Sequence, residues 1–163
     1  MLRLLAAAAI ACSAICSSLA PAAADDRSIC GATPVKSDTI AACSRIIGAP
    51  RASDHDRALA YIFRANAFRG QGDTAHAIAD FTDALTLLPN FVQALLGRGI
   101  AYLSAGDYPH ALADFDAVTN LDPKNAIALY ERGLAKQKSG DTAGGDADIA
   151  AAQKLDPNIA KKL

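Results

Sequence analysis

The sequence has no surplus of charge of either sign. Its 163 residues include 16 Lys and Arg against 17 Asp and Glu, a formal net charge of −1 with neutral histidines. Proteins that grip the phosphates of nucleic acids carry a clear excess of basic residues. We therefore expect no nucleic-acid partner.

Motifs that carry common catalytic chemistry are also missing. No glycine-rich phosphate loop follows a strand pattern, no serine lies in a nucleophile elbow, and no Cys/His arrangement has catalytic spacing. We predict that the chain is not an enzyme, with no catalytic residue, no metal site and no cofactor.

Long hydrophobic runs are confined to the N-terminus. Arg3 is followed by an uncharged run from Leu4 to Leu19, and Ala22-Ala23-Ala24 precedes Asp25. This order is typical of a secretory signal peptide with an A-x-A cleavage site, which we place at residues 1–24. A run of about 17 residues is at the short limit for a membrane anchor, so we expect no membrane span after cleavage.

The signal predicts a periplasmic or secreted protein. A lipoprotein attached through Cys12 is the alternative, although the apolar segment before Cys12 is short for that signal. Removal of residues 1–24 takes away Arg3 as the only charged residue, which changes the net charge from −1 to −2.

Cysteines are few, and their positions differ in meaning. Cys12 and Cys16 leave with the signal, so the exported chain keeps Cys30 and Cys43. An even pair in an oxidising compartment predicts a disulfide, which would stabilise this segment by roughly 3 kcal/mol in the chain-entropy model. A metal or redox role is the alternative, but the wide spacing and the lack of a nearby histidine argue against it.

What the chain does contain is a repeat of 34 residues. The dipeptide Gly-Asp recurs at that step, and so does a proline, at Gly72-Asp73, Gly106-Asp107, Gly140-Asp141, Pro89, Pro123 and Pro157. A 34-residue period indicates stacked helical hairpins. The repeats align without a gap as 58–91, 92–125 and 126–159, and leave a tail at 160–163.

Small and bulky residues keep fixed places in this frame. Small residues recur at Ala65/Gly99/Gly133 and Ala77/Ala111/Gly145, and bulky ones at Tyr61/Leu95/Leu129, Phe68/Tyr102/Lys136 and Phe81/Phe115/Ile149. The pattern resembles the tetratricopeptide repeat (TPR) family over residues 58–159. The resemblance implies an all-α solenoid of three helical hairpins.

Residues 25–57 form a separate N-terminal helical segment that the cysteine pair would clip. Ile40, Cys43, Ile46 and Ile47 have helical spacing, with Ser37-Asp38-Thr39 as a start signal and Gly48 as a stop. This stretch resembles the second helix of a repeat whose first helix is missing. We expect a half-repeat helix packed on the first full repeat, followed by a helix that Ser53 caps.

Three repeated features are interpreted as structural. Each turn glycine can adopt a positive φ and each following aspartate can cap a helix. Arg64/Arg98/Arg132 and Asp80/Asp114/Asp148 occupy two recurring positions, and we expect hydrogen bonds between them. His76 and His110 are equivalent residues that lie too far apart to share one metal ion.

The TPR resemblance also implies a binding surface, because the first helix of each hairpin lines a concave groove in that family. The positions that usually touch ligands give a mainly apolar set, namely Ile62, Phe63, Asn66, Arg69, Leu96, Ile100, Leu103, Tyr130 and Leu134. The set departs from the subclass that grips the C-terminus of cytosolic chaperones. Asn66 matches that subclass, but its other positions hold Ile62, Gly97, Ile127 and Glu131.

These expectations point to a protein-binding adaptor whose groove takes a peptide or a helix, with the partner being another protein. Two alternatives stay open. The groove residues can be covered by the superhelix, the half-repeat or the tail, and the chain can be a self-associating structural subunit of an envelope complex, for example a homodimer.

Overall fold

The protein is described by a computed structural model that covers residues 22–32 and 38–162. The predicted signal peptide, with Cys12, lies almost entirely outside these residues. No helix in the described ranges has the length and apolar character needed to cross a membrane. The helices there are α1 (Ala22–Cys30), α2 (Thr39–Ile47), α3 (Asp54–Gly70), α4 (Thr74–Leu87), α5 (Val92–Ala105), α6 (Tyr108–Leu121), α7 (Ala126–Ser139), α8 (Thr142–Leu155) and α9 (Ile159–Lys162).

Residues 54–155 fold into the three predicted hairpins. α3 pairs with α4, α5 with α6 and α7 with α8, and each hairpin packs against the next. The first helices of successive hairpins also contact one another, from α3 to α5 and from α5 to α7. Stacking of this kind builds a solenoid whose first helices line the inner face.

The turns between the helices of each hairpin have the predicted geometry. Gly72, Gly106 and Gly140 have φ angles of 80°, 79° and 103°, values that side chains with a Cβ rarely adopt. The aspartate after each glycine caps the second helix, as in Asp107, whose carboxylate accepts from the backbone N–H of His110. Ser53 caps α3 in the same way, because its hydroxyl oxygen accepts a hydrogen bond from the backbone N–H of Asp56. Each cap is worth about 1 kcal/mol.

The core is built from aromatic rings that pack against residues with little or no side chain. Phe81 and Phe115 are completely buried. The ring of Phe81 occupies the space that a Cβ on Gly97 would need, and the ring of Phe115 lies close against Gly99. Close approach of the helices therefore depends on these two glycines and on buried alanines such as Ala65 and Ala111.

The N-terminal segment contains one helix that the sequence did not predict. α2 is the expected half-repeat helix, and α1 packs beside it where the first helix of that repeat was expected to be missing. The Asp26 carboxylate accepts hydrogen bonds from Arg45 on α2, and Arg27 forms an ion pair with Asp56 on α3, 3.1 Å away. α1 thus joins the inner row of helices.

The C-terminal end is covered by a single turn. α9 packs on α7, and its Ile159 is buried against Leu129 and Ala152. Two leucines at matching repeat positions remain open to solvent, Leu121 with 47% and Leu155 with 45% of their surface exposed. Coverage of this end is therefore less extensive than at the N-terminus.

Candidate functional site: the concave groove

The inner faces of α3, α5 and α7 form the candidate groove. Positions spaced by three, four and seven residues share one side of a helix, so Ile127, Glu131, Leu134 and Lys138 form one stripe of α7. The opposite side of the same helix carries the buried residues Ala128 and Ala135. The groove wall is thus the side of each first helix that faces away from the core of its hairpin.

Arginine–aspartate pairs hold the wall in place, as the sequence predicts. Arg98 donates from Nε and Nη2 to the two carboxylate oxygens of Asp114, at 2.9 and 2.7 Å. Arg64 with Asp80 and Arg132 with Asp148 repeat this geometry, with distances between 2.7 and 2.9 Å. Bidentate pairs of this kind fix both distance and orientation between the two helices.

Each of these arginines also reaches the second helix of the preceding repeat. Arg64 donates from Nη1 to the Ser44 hydroxyl at 2.8 Å, and Arg98 donates to Thr82 at 3.2 Å. Arg132 donates to Asp116 at 2.8 Å and to Thr119 at 2.9 Å. One guanidinium therefore fixes the angle within a hairpin and the stacking of that hairpin on its neighbour.

At one repeat position, the third repeat has a charged residue where the first two have an aromatic residue. Phe68 stacks on His76 and Tyr102 on His110, each with ring centroids 5.0 Å apart. Lys136 occupies the matching position in α7, and its Nζ lies 2.8 Å from an Asp148 oxygen. Burial raises the pKa of Asp148, but hydrogen bonds from Arg132 and Lys136 outweigh burial and leave that pKa below its usual value.

The groove residues predicted on α3 fall in three different environments. Ile62 is only 6% exposed and belongs to the core around Phe81, so little of its side chain is open to the groove and its contact with a ligand stays a prediction. Phe63 packs against the cluster of Cys30, Cys43 and Ala60, and lines a hollow of about 180 Å³ beside α1. Asn66 and the exposed Arg69 lie further along α3, where Arg69 donates to the Asn66 side chain at 3.2 Å.

The predicted residues on α5 and α7 remain partly accessible. Leu96, Ile100 and Leu103 pack at the edge of the cluster around Phe115, and each keeps part of its side chain open. Tyr130 packs beside Leu129 near the C-terminal cap, and Leu134 is half-buried outside the described core clusters. The structure brings these side chains to one face, but their contact with a partner stays a prediction.

Glu131 is the polar residue of the groove that the sequence did not assign as functional. It is only 8% exposed, and burial raises the pKa of its carboxyl, while the positive charge of Arg69 opposes that rise. None of residues 22–32 and 38–162 donates a hydrogen bond to its carboxylate, and since no buried side-chain oxygen among them lacks a partner, the carboxylate oxygens reach solvent. The available signal was its composition, since Glu131 is the single glutamate of the chain.

Cys30 and Cys43 lie at the N-terminal end of the groove. The Sγ atoms of Cys30 and Cys43 are at bonding distance, and their Cα atoms are 4.9 Å apart, within the range that disulfides span. Across the described residues, no three His, Cys, Asp or Glu side chains are grouped to hold a metal ion. The geometry therefore allows a bond between α1 and α2 at this cysteine pair.

A curved stack of helical hairpins with an inner row of first helices defines the class of repeat scaffold proteins. The tetratricopeptide repeat model matches residues 62–126 and 96–158, which together cover more than half of the chain. The chain belongs to the tetratricopeptide repeat family. No curated protein sequence matches it.

Solved structures share this fold at low sequence identity. MamA is 20% identical with a TM-score of 0.67, over 78% of this chain and 72% of MamA. The Arabidopsis OM64 TPR domain is 22% identical with a TM-score of 0.64, over 68% of this chain and 93% of that domain. The first TPR of Spaghetti (RPAP3), bound to an HSP90 peptide SRMEEVD, is 22% identical with a TM-score of 0.61, over 65% and 86%.

Proposed function

We propose that this chain is an exported protein-interaction adaptor that binds a peptide or a helix of another protein in its concave groove. Export rests on the signal-like residues 1–24, which would place the folded chain in the periplasm or outside the cell. We propose binding rather than catalysis, because the groove combines apolar side chains with a rigid wall and its described residues offer no paired acid and base.

The observation that carries this proposal is the row of partly exposed apolar residues on α5 and α7. Leu96, Ile100 and Leu134 stay open to solvent on a wall that three arginine clamps hold rigid. Covering such surface contributes about 25 cal/mol per Å², and a pre-formed wall loses little entropy on binding. The solved RPAP3 relative, which holds a peptide, supports a peptide as the class of occupant.

A capture experiment with a matched pair of variants tests this function. The exported, oxidised chain would serve as bait in cross-linked envelope extracts, beside Leu134→Glu in the groove and Leu121→Glu on α6. Both variants introduce the same charge, and neither residue belongs to a buried core cluster. We expect a protein that wild type and Leu121→Glu retain and that Leu134→Glu loses, with circular dichroism spectra alike for all three.

Two results would contradict the adaptor function. Equal capture by both variants would place binding outside the groove. No specific capture by the wild-type chain would favour the second candidate, a structural subunit that associates with itself. The exposed side chains of Leu121, Ile127 and Leu155 toward the C-terminal end support that candidate. Sedimentation at several concentrations would then show a dimer, and Leu155→Glu would dissociate it.

We also propose that Cys30 and Cys43 are joined after export, which their Sγ positions and the predicted compartment support. Intact-mass measurement of the exported protein would give a chain that begins at Asp25 and lacks two hydrogens. Thiol labelling in denaturant checks the same point, and two reactive thiols would refute the bond. A mass that retains Cys12 with a lipid would favour the lipoprotein alternative.

A further inference from the structure

The carboxylate of Glu131 stands out among the acidic groups of the described chain. The aspartates at the matching structural positions of the clamps each receive hydrogen bonds from an arginine, and those in the hairpin turns cap helices. Glu131 is as well buried as the clamp aspartates, yet none of the described residues donates a hydrogen bond to it. Its carboxylate oxygens reach solvent, because no buried side-chain oxygen of the described residues lacks a partner, but burial removes part of the hydration of the charge and raises the pKa of the carboxyl.

The positive charge that acts on Glu131 comes from Arg69, and this arginine donates no hydrogen bond to the Glu131 carboxylate. Arg69 on α3 acts on Glu131 by its charge, but its guanidinium donates a hydrogen bond to Asn66 and its side chain is exposed. Exposed charges that interact without a hydrogen bond contribute little. The Glu131 carboxylate therefore keeps an unused capacity to accept hydrogen bonds.

The residues around Glu131 indicate which kind of ligand could donate hydrogen bonds to its carboxylate. Its stripe on α7 continues into Leu134, and the facing helix α5 presents Leu96 and Ile100. An occupant that fits this wall is mostly apolar and carries one cationic donor. A ligand that placed a carboxylate at this point would instead be repelled by the negative charge of Glu131, which weakens binding.

On the basis of the proposed groove function, we propose that Glu131 selects the ligand, and that the occupant is a protein segment that places a lysine or arginine side chain against this carboxylate between apolar contacts. Insertion of the cation replaces the partial hydration of the carboxylate with charge-assisted hydrogen bonds from the ligand. Glu131 is then a specificity-determining residue of the groove.

The first consequence concerns the free protein. A carboxyl whose pKa is raised by folding has no effect on stability below its unfolded pKa, and its unfavourable effect grows as the pH rises from the unfolded pKa to the raised folded pKa. We expect Glu131→Gln to melt at a higher temperature than wild type at pH 7. The difference should vanish near pH 4, about the unfolded pKa of a glutamate.

The second consequence concerns selection of ligands. Random 12-residue peptides displayed on phage would be selected against the oxidised, exported chain and against Glu131→Gln, Glu131→Lys and Asp83→Asn. Asp83 is an exposed acid on α4 that serves as the matched control. Wild type and Asp83→Asn should enrich peptides with one Lys or Arg at a constant distance from apolar residues. Glu131→Gln should lose that preference by about tenfold or more, and Glu131→Lys should favour Asp or Glu.

The outcomes separate this inference from the function on which it rests. If wild type enriches no peptide, the groove function and the role of Glu131 both fall. If wild type enriches peptides without a basic residue, or if Glu131→Gln enriches the same peptides equally well, the groove function stands and the role of Glu131 is refuted. A melting temperature of Glu131→Gln at or below that of wild type at pH 7 would also refute it.

Discussion

Among single residues, Gly97 shows how the core depends on the absence of a side chain. Gly97 faces Phe81 of the preceding repeat, and a Cβ at this position would overlap the ring. Phe81 has no free space into which it can move, because it is completely buried. The glycine is therefore required by packing between repeats rather than by a turn.

Gly97→Ala should destabilise the protein by about 1–2 kcal/mol. Alanine gains about 1 kcal/mol in helix propensity over glycine, but overpacking at so short a distance from the ring should cost about 2–3 kcal/mol, the upper part of the usual range. Gly70→Ala is the matched control, since nothing lies within 4 Å of its Cβ position at the end of α3. Urea unfolding would measure both variants, and a Gly97→Ala protein as stable as Gly70→Ala would contradict the packing argument.

The single glutamate illustrates what residue identity alone conveys. The chain uses aspartate in its clamps and caps, where a short side chain holds the carboxylate near the backbone. Glu131 has no such partner among the described residues, although it is largely buried. The proposed role of Glu131 therefore depends on neighbours on other helices, which the sequence pattern does not give.

At the scale of elements, the arginine clamp is the unit that relates one helix to the next. Arg98 contacts α6 through Asp114 and α4 through Thr82, so three helices meet at one guanidinium. The Asp114 side chain is only 7% exposed. Loss of the arginine would leave a buried carboxylate without its donors.

Arg98→Ala should lower the free energy of unfolding by about 3 kcal/mol, the lower end of the range for breaking a buried pair, because Arg98 itself is partly exposed. Arg51→Ala, at an exposed turn residue before α3, is the control and should change stability by less than about 0.5 kcal/mol. Thermal and urea unfolding would measure both. A loss below about 1 kcal/mol for Arg98→Ala would mean that the clamp acts only as a surface pair.

The helical hairpins themselves were predictable because their signals are local. Positive-φ glycines, aspartate caps and the arginine–aspartate pairs lie where the 34-residue period predicts them. α1 was not predicted, since its sequence begins within the alanine-rich residues assigned to signal cleavage. The ion pair between Lys136 and Asp148 was also missed, because the aromatic pattern of the family gave no reason to expect charge there.

At the scale of the whole molecule, the chain is a one-dimensional stack with unequal ends. The N-terminal end is closed by α1 and α2, which the Asp26–Arg45 contacts hold together and which the proposed Cys30–Cys43 bond would link covalently. The C-terminal end is closed by the single turn α9. Because each repeat contacts only its neighbours, a change at one end should have effects that fade along the stack.

Replacement of both Cys30 and Cys43 by serine should therefore destabilise the N-terminal end selectively. The chain-entropy model gives roughly 3 kcal/mol for a closed loop of this length. Hydrogen exchange should show lost protection in α1 and α2, with α6, α7 and α8 close to wild type. An equal loss of protection in all helices would contradict the independence of the repeats, and no loss in α1 and α2 would show that the bond does not hold them.

The number of hairpins, the places where the helices turn and the pairing of Arg with Asp follow from the sequence, because these features depend on residues of one repeat and recur three times. Only the folded chain shows that Ile62 is core, that α1 completes the inner row and that none of the described residues donates a hydrogen bond to the largely buried Glu131. Burial and hydrogen bonding of a side chain depend on which neighbouring helices cover it. A 34-residue pattern describes each repeat but does not specify these contacts.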